Sequence, residues 1–342
     1  MVSMPYETIF LRRLKYNMNQ ARHPDGRRLK DRFQNINPLV ADPTEWDTIK
    51  FIASRLWSTT LHPRTSPLVP IDNDRARLRD NHTDVTVTWI GHATLLIQLD
   101  GLNILTDPHW SKRASPVSFA GPKRLVAPGM PFECLPRIHL VLISHDHYDH
   151  LDLRTVHRLS RIHRPLFLVP LGLKQWFADR QIPDVEELDW WDARKREDSL
   201  LTCVPVQHFS GRTLWDGNRR LWCGWSIRGR RRHCFFAGDT GYYRELFTQI
   251  AQRLGHCDVA AIPIGAYLPP SMMKWVHSTP EQAIQILSDV RGDHLLAMHW
   301  GTFDLTDEPI GEPPKRLEAE ASRLGLDQNR VWVMQPGETR NW

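Results

Sequence analysis

Short apolar runs alternate with segments of helical periodicity along most of the chain. The apolar runs are rich in Val, Ile and Leu and stop at polar or glycine-containing turns, which is typical of β-strands. They occupy residues 85–90, 95–99, 102–106, 137–143, 166–169, 201–206, 221–227, 234–237, 259–262, 294–298 and 331–334. Apolar side chains that recur every three or four residues predict helices instead. This periodicity is present in residues 43–57, 153–159, 173–180, 245–253, 280–289 and 315–324.

Strands interspersed with helices favour the α/β class, with two packed sheets and helices on both outer sides, a four-layer α/β/β/α sandwich. Asp100 and Gly101, between two of the predicted strands, indicate a hairpin turn. We expect one domain over residues 43–342. Residues 1–42 precede it as a basic and polar arm, for which a solvated tail and contact with an anionic membrane surface or a partner subunit are both open.

The densest cluster of chemically active side chains follows one of these strands. The apolar residues 140–143 run directly into His145, His147, Asp149 and His150. Two imidazoles two positions apart can face the same point, whereas the side chains of Asp149 and His150 diverge from them. Such a cluster serves two neighbouring cations more easily than one, and zinc accepts both nitrogen and oxygen ligands. A surface turn rich in His and Asp is the alternative interpretation.

Three further potential ligands follow apolar strands elsewhere in the sequence, namely His208, Asp239 and His299. Because strand ends gather at one edge of a layered fold, these side chains can converge on the central segment. Two cations about 3.5–4 Å apart can share a water, lower its pKa and bind the oxygens of a phosphodiester. Each of the three residues taken alone also fits a structural role.

The composition limits the function classes only broadly. Hydrophobic residues make up 41% and charged residues 24%, which is ordinary for a soluble globular protein, and the net charge of +5 is compatible with an anionic partner. No apolar run approaches the roughly 18 residues that a membrane-spanning helix needs, and the N-terminus does not read as a signal peptide. We therefore expect a cytoplasmic protein, with peripheral membrane contact left open. The five scattered cysteines argue against zinc held by thiolates.

The central segment, His-x-His-x-Asp-His after a strand, resembles the signature of the metallo-β-lactamase superfamily. A series of further segments, in the same order along the chain, resembles one branch of it, which contains the N-acylphosphatidylethanolamine-hydrolysing phospholipase D. These segments are residues 89–97, 105–108, 115–116, 121–124, 207–208, 238–242, 277–283 and 299–303. The resemblance extends from about residue 32 to the end of the chain.

This resemblance implies the fold, the cofactors and the ligands of the site. The fold would be an αββα sandwich of two mixed sheets in a single domain, and the cofactors would be two zinc ions with a bridging water or hydroxide. The implied ligands are His145, His147 and His208 for one ion, Asp149, His150 and His299 for the other, and Asp239 as the bridge. The implied catalytic residues are Asp149, Asp239 and His277.

Residues around these ligands are candidates for supporting roles. Asp107 follows a strand and could accept a hydrogen bond from a ligand histidine. For His92, structural packing and an active-site role are both open. His277 stands at a helix start that Ser278 or Thr279 would cap, and we hypothesise that it contacts the substrate phosphate or protonates the leaving group.

Lys123, Arg124 and Tyr267 are the candidate substrate-binding residues. Lys123 and Arg124 follow a Gly-Pro pair and would take the phosphate or the head group, with a solvated loop as the alternative. Tyr267 begins a largely apolar segment, residues 267–275, that would line a path for acyl chains or pack in the core.

Taken together, these features favour a dinuclear zinc phosphodiesterase. The resemblance implies that it cleaves N-acylphosphatidylethanolamine to phosphatidic acid and an N-acylethanolamine, by attack of a metal-bound hydroxide. A lactonase or a cyclic phosphodiesterase acting on a small phosphorylated metabolite is the alternative. A nuclease would need a basic and aromatic platform that we do not find, so no nucleic-acid partner is expected. A homodimer and contact with an anionic membrane are further partners left open.

Overall fold

A computed structural model of the protein describes residues 28–29, 31–37, 40, 64–213 and 215–342. Most of the predicted arm and the helix predicted for residues 43–57 lie outside these residues. No helix in the described ranges combines the length and the apolar character that crossing a bilayer requires.

The strands of the described residues are numbered in chain order. They are β1 (Arg28–Leu29), β2 (Arg32–Phe33), β3 (Thr86–Gly91), β4 (Thr94–Leu99), β5 (Leu102–Thr106), β6 (Leu140–Leu142), β7 (Leu166–Pro170), β8 (Val185–Leu188), β9 (Ala193–Arg196), β10 (Ser199–Val204), β11 (Gly224–Arg228), β12 (His233–Phe236), β13 (Cys257–Pro263), β14 (Gly292–Met298), β15 (Val331–Trp332) and β16 (Thr339–Asn341).

The helices are numbered in the same way. They are α1 (Arg75–Arg79), α2 (Leu153–Ile162), α3 (Leu173–Ala178), α4 (Arg244–Leu254), α5 (Pro270–Met273), α6 (Pro280–Asp289) and α7 (Glu312–Arg323), with short 3-10 helices at Phe132–Cys134 and Gln328–Arg330. Thr279 caps α6, because its hydroxyl accepts from the amide of Gln282 while the Gln282 side chain accepts from the amide of Thr279.

Fourteen of the described strands form two seven-stranded mixed sheets with the same plan. The first has the order β16-β3-β4-β5-β6-β7-β8, antiparallel as far as β5 and parallel from there. The second has the order β15-β14-β13-β12-β11-β10-β9, antiparallel from β9 to β12 and parallel from β12 to β15. The predicted sandwich of two mixed sheets is confirmed.

Apolar side chains from both sheets fill the space between them, and helices cover the outer faces. Trp89 and Ile97 of the first sheet belong to the same core cluster as Trp225 and Phe236 of the second. A separate cluster, which includes Val156, packs α2 and α3 on the outer face of the first sheet. Helix α6 lies against β13 and β14, between α4 and α7.

The predicted hairpin turn is confirmed. Leu99 pairs with Leu102 across it, and Asp100 and Gly101 both have positive φ, at 50° and 77°. Two central residues of positive φ make the tight turn that matches the twist of the flanking strands. The sequence pattern missed β9, which reads Ala-Arg-Lys-Arg and lacks apolar alternation, because its cations protect a sheet edge instead of filling a core.

Candidate metal centre

The central histidine segment, residues 145–150, forms a turn beyond the carboxyl end of β6, which we call the central turn. The amides of His150 and Leu151 donate to the carbonyl of His147 at 3.1 and 2.8 Å and close the turn. This geometry places Nε2 of His145 2.9 Å from Nδ1 of His147. The imidazoles of His145 and His147 therefore face one point.

Three strands of the second sheet deliver further side chains to this point. His208 follows β10, Asp239 follows β12 and His299 follows β14. Nε2 of His208 lies 3.2 Å from Nδ1 of His147. Oδ2 of Asp239 lies 3.1 Å from Nε2 of His150 and 3.1 Å from Nε2 of His299. The structure thus brings together side chains from both sheets.

Asp149 joins the cluster from the other side. Its Oδ2 lies 3.4 Å from Nε2 of both His150 and His299, and 2.8 Å from Nε2 of His92. The candidate ligand atoms lie within 4.8 Å of one another in overlapping groups. These are His145, His147 and His208; His92, Asp149, His150 and His299; His145, His150 and Asp239; and His208, Asp239 and His277.

Several buried polar atoms of this cluster lack hydrogen bonds with each other and are available to bind a metal. Nε2 of His150, both ring nitrogens of His299 and Oδ1 of Asp239 are buried and make no hydrogen bond of good geometry in the part of the chain that the structure describes, although both Nε2 atoms lie 3.1 Å from Oδ2 of Asp239. Buried polar groups are otherwise almost always hydrogen-bonded. Imidazole nitrogen and carboxylate oxygen are ligands that borderline cations accept. The residues present therefore fit a metal centre.

Burial and charge together set the protonation of the cluster. Burial alone would raise the pKa of Asp239, but His150 and His299 outweigh it and hold that pKa well below its usual value. Burial would lower the pKa of His299, but Asp239 and Asp149 outweigh it and raise that pKa to about 9. Both pKa shifts indicate that the carboxylates of Asp239 and Asp149 stabilise positive charge at this end of the cluster. Bound cations would supply that charge.

Asp107 and Ser144 support the candidate ligand histidines from behind, and both are fully buried. Oδ2 of Asp107 accepts from the Ser144 hydroxyl at 2.6 Å and lies 2.7 Å from Nδ1 of His150. The Ser144 hydroxyl is also 2.9 Å from Nδ1 of His145. A carboxylate that accepts from a ligand histidine fixes the orientation of the ring and raises its basicity.

The far side of the cluster is held by the chain around His208 and His277. Nδ1 of His208 lies 2.8 Å from the carbonyl oxygen of Val276, and the His208 backbone exchanges two hydrogen bonds with Asn35, at 3.0 and 2.8 Å. The ring centroid of His277 is 5.1 Å from that of His208 and 5.4 Å from that of His299. Burial lowers the pKa of His277 to about 4, so its ring is neutral at neutral pH.

The chain is similar to known proteins in sequence and in fold. A sequence profile described as the beta-lactamase superfamily domain matches residues 102–300. The N-acyl-phosphatidylethanolamine-hydrolyzing phospholipase D 1 of Caenorhabditis elegans is 38% identical over 284 residues, which cover 77% of this chain and 80% of the worm protein. The chain belongs to the beta-lactamase superfamily. The resemblance indicated by the motifs is thereby confirmed.

Further relatives of this superfamily member support the same assignment. A mitochondrial N-acyl-phosphatidylethanolamine-hydrolyzing phospholipase D of Saccharomyces cerevisiae is 34% identical over 258 residues, 74% of this chain and 55% of the yeast protein. Igni18, a metallo hydrolase from Ignicoccus hospitalis, has the same fold, with a TM-score of 0.57 and 23% identity over 76% of this chain and 99% of its own. This superfamily member is a metal-dependent hydrolase.

The candidate substrate residues of this hydrolase differ in what they contact. The Lys123 side chain is exposed. The Arg124 guanidinium already donates to the carbonyl oxygens of His109 and Ser111, at 2.6 and 3.2 Å. The buried Tyr267 donates its hydroxyl to Glu312 of α7 at 2.8 Å. Arg124 and Tyr267 therefore have structural partners, and Lys123 is the one of the three that reaches solvent freely.

A cleft of about 560 Å³ opens beside the central turn of the hydrolase, where Tyr148 and Leu151 form part of its wall. The cationic side chains that line it are Lys112, Arg113, Arg154, Arg180 and Arg212. Asp152, the one acid among the described residues that line it, accepts hydrogen bonds from Ser111 and Thr155. The cleft therefore carries a net positive charge next to the candidate metal centre.

Two residues of this hydrolase site, Ser144 and Asn35, lie outside the sequence motifs. Ser144 stands directly before His145, and its position between a strand and a ligand was a signal that could have found it. Asn35 lies within the predicted arm, and its contact with His208 follows no local pattern. Phe33, two residues before Asn35, packs in the core and donates its amide to the carbonyl of Asn218 at 2.7 Å, so this end of the arm is part of the folded domain.

Proposed function

We propose that this protein is a dinuclear zinc hydrolase that cleaves N-acylphosphatidylethanolamine to phosphatidic acid and an N-acylethanolamine. The observation that carries the proposal is the convergence of both ligand groups on one carboxylate. Oδ2 of Asp239 lies 3.1 Å from Nε2 of both His150 and His299, and 3.7 and 3.9 Å from Nε2 of His208 and His145. The ligands we assign are His145, His147 and His208 for one ion, Asp149, His150 and His299 for the other, and Asp239 for both. Nitrogen and oxygen ligands without thiolates suit a catalytic rather than a structural zinc site.

When bound, the zinc ions would supply Lewis acidity and make a water acidic enough to react near neutral pH. The residues of the chain prepare their own ligand atoms. The carbonyl oxygen of Val276 can only accept, so Nδ1 of His208 carries the proton and its Nε2 is left for a cation. Asp107 holds Nδ1 of His150 in the same way. We assign His277, between His208 and His299, to contact with the substrate phosphate.

Two kinds of observation support a phospholipid substrate. The worm and yeast relatives carry the name of this activity. The positively charged cleft beside the central turn suits the phosphate of an anionic lipid. In the proposed reaction the oxygen of water joins phosphorus, the bond from phosphorus to the N-acylethanolamine oxygen breaks, and that oxygen takes up a proton.

A direct test compares substrates in ¹⁸O-labelled water. Purified zinc-loaded protein is offered N-acylphosphatidylethanolamine in mixed micelles, bis(p-nitrophenyl) phosphate, a cyclic nucleotide and a lactone. We expect the lipid to be cleaved fastest, with the label in phosphatidic acid and none in the N-acylethanolamine. Mass spectrometry of both products measures this.

The matched control is Asp239→Asn, which keeps the shape of the side chain and removes the shared charge. Loss of a residue that only supports a metal ligand costs about 10–100-fold, so the activity of Asp239→Asn should fall by at least that much. Cleavage of the soluble substrates alone would replace the lipid assignment with the lactonase or cyclic phosphodiesterase alternative. Label found in the N-acylethanolamine would contradict attack at phosphorus.

A further inference from the structure

Asp146, the residue between the first two histidines of the central turn, is outside the ligand groups and enters a second polar cluster. Its side chain is fully buried. One carboxylate oxygen accepts from the amide of Gly211 at 2.7 Å, and the other lies 2.7 Å from Nη1 of Arg220. Gly211 and Arg220 belong to the segment that follows His208. Asp146 therefore links the turn that carries His145 and His147 to the segment that begins at His208, the third ligand assigned to the same ion.

Arg220 is held from its other side by a second carboxylate. Its Nη1 lies 2.8 Å from Oδ2 of Asp216, and only 20% of the Arg220 side chain is exposed. Oδ1 of Asp216 accepts from the amides of Arg212 and Thr213 at 2.9 and 2.7 Å. Burial would raise the pKa of Asp216, but the hydrogen bonds from Arg220 and these amides outweigh it and bring that pKa to about 2. Both carboxylates therefore meet a fixed cation.

Arg212, on the segment that follows His208, is joined to the central turn by hydrogen bonds to backbone carbonyl groups. Its Nη1 donates to the carbonyl oxygens of Asp146 and Leu151, at 2.6 and 3.0 Å. Its guanidinium lies 3.9 Å from the ring centroid of Tyr148, whose hydroxyl donates to the Arg212 carbonyl at 3.0 Å. The central turn is thus fastened to residues 210–220 along most of its length.

We propose that the Asp146–Arg220 ion pair is a positioning device that sets the distance between His145 and His147 on one segment and His208 on the other before a metal binds. The short contacts among His145, His147 and His208 are hydrogen bonds that a bound cation would replace, so a contact outside the ligands must keep the two segments in register. A buried, hydrogen-bonded ion pair has one preferred geometry. Ligands held in place lose less conformational freedom when a cation binds, which increases affinity. The inference rests on the metal binding proposed above.

Zinc affinity is the readout that tests this role. Arg220→Met keeps the apolar stem and removes the cation, and we expect the affinity for zinc to fall roughly 10–100-fold. The measurement is competition with a chromophoric chelator, on protein whose near-ultraviolet circular dichroism matches the wild type. Arg220→Lys, which keeps the charge, should recover part of the loss.

Arg219→Met is the matched control on the same segment. The Arg219 side chain is about half exposed, and it meets an equally exposed Asp31 at 3.4 Å, outside the cluster. We expect the Arg219→Met variant to bind zinc with the affinity of the wild type. A loss in Arg219→Met as large as in Arg220→Met would overturn the proposal, because it would show a general effect on the segment.

A second variant approaches the pair from the other partner. Asp146→Asn keeps an oxygen for the Gly211 amide and removes the charge, so it remains informative if Arg220→Met does not fold. We expect a similar loss of zinc affinity. The double variant, which lacks both partners, should bind zinc no more weakly than the weaker-binding of the two single variants. Wild-type affinity in either folded single variant, or losses that add in the double variant, would overturn the proposal. These titrations contain no lipid, so a failed lipid assay is a separate result.

Discussion

The residues that follow His277 in the sequence fix its position in the site. The Ser278 hydroxyl donates to the carbonyl of Thr240 at 2.6 Å, and Thr279 caps α6, so the backbone on the C-terminal side of His277 is fixed. Nδ1 of His277 is buried and has no partner among the described residues. A side chain held in this way can contact a substrate without first giving up a structural hydrogen bond.

We predict that His277→Ala lowers turnover and leaves the metal in place. Loss of a residue that assists proton transfer or charge stabilisation typically costs about 10²–10⁴-fold in rate, and we expect a loss of at least about 10²-fold in kcat. Steady-state kinetics and metal analysis by atomic absorption measure the two effects. Because His277 also lies near His208 and Asp239, loss of one metal would instead make it a ligand. His256→Ala, which changes a half-exposed histidine, is the control.

At the scale of elements, the hairpin of β11 and β12 encloses a histidine that takes no part in the metal centre. His233 is buried, with Nε2 2.7 Å from the Ser226 hydroxyl and Nδ1 2.7 Å from the carbonyl of His256. Burial and, after it, the charge of Arg228 lower the pKa of His233 to about 4. The folded protein therefore keeps this histidine neutral well below the pH at which an unfolded chain would protonate it.

This histidine should make folding sensitive to acid. Between about pH 6.5 and pH 4 the unfolded state binds a proton that the folded state does not, so stability falls as the pH falls through this window. At 1.36 kcal/mol per pH unit the full effect is about 3 kcal/mol. Urea unfolding of metal-free protein at pH 7 and pH 4.5 covers most of this window, or about 2.5 kcal/mol of the effect. In His233→Gln the loss over the same pH step should be smaller, and an equal loss in both proteins would contradict the assignment.

At the scale of the whole molecule, the candidate centre joins the two sheets. His145, His147, Asp149 and His150 come from the first sheet, whereas Asp239 and the remaining candidate ligands come from the second. A cation bound by both groups would act as a cross-link between the halves of the sandwich. Metal binding should therefore stabilise the entire fold and not only a local loop.

Removal of metal should lower the melting temperature. A ligand at 1,000 times its Kd stabilises a fold by about 4 kcal/mol, and 1 kcal/mol shifts the Tm of a large domain by roughly 2–4 °C. We expect chelation to lower Tm by about 10 °C and added zinc to restore it. Calorimetry with and without chelator measures the shift, which should shrink in Asp239→Asn. An unchanged Tm after complete metal removal would mean that the ions do not join the sheets.

The elements and the types of ligand could be predicted from the sequence, because both are local properties. The strand period of two residues and the helical recurrence every three or four residues report which side chains face a core, and the histidines stand where apolar strands end. The family resemblance added the grouping of the ligands. Local patterns failed at β9, whose cations carry no periodic signal, and at Asn35, whose role exists only where it meets His208.

The sequence by itself determined which side chains can bind a metal and where each lies on its strand. Only the tertiary structure decided how they are used. Arg124 and Tyr267 carry groups suited to a substrate, yet contacts with distant residues occupy them. The Asp146–Arg220 pair joins residues 74 positions apart and has no trace in either local sequence. The reason is physical: hydrogen bonds and ion pairs act over a few ångströms, and folding alone brings such distant residues within that range.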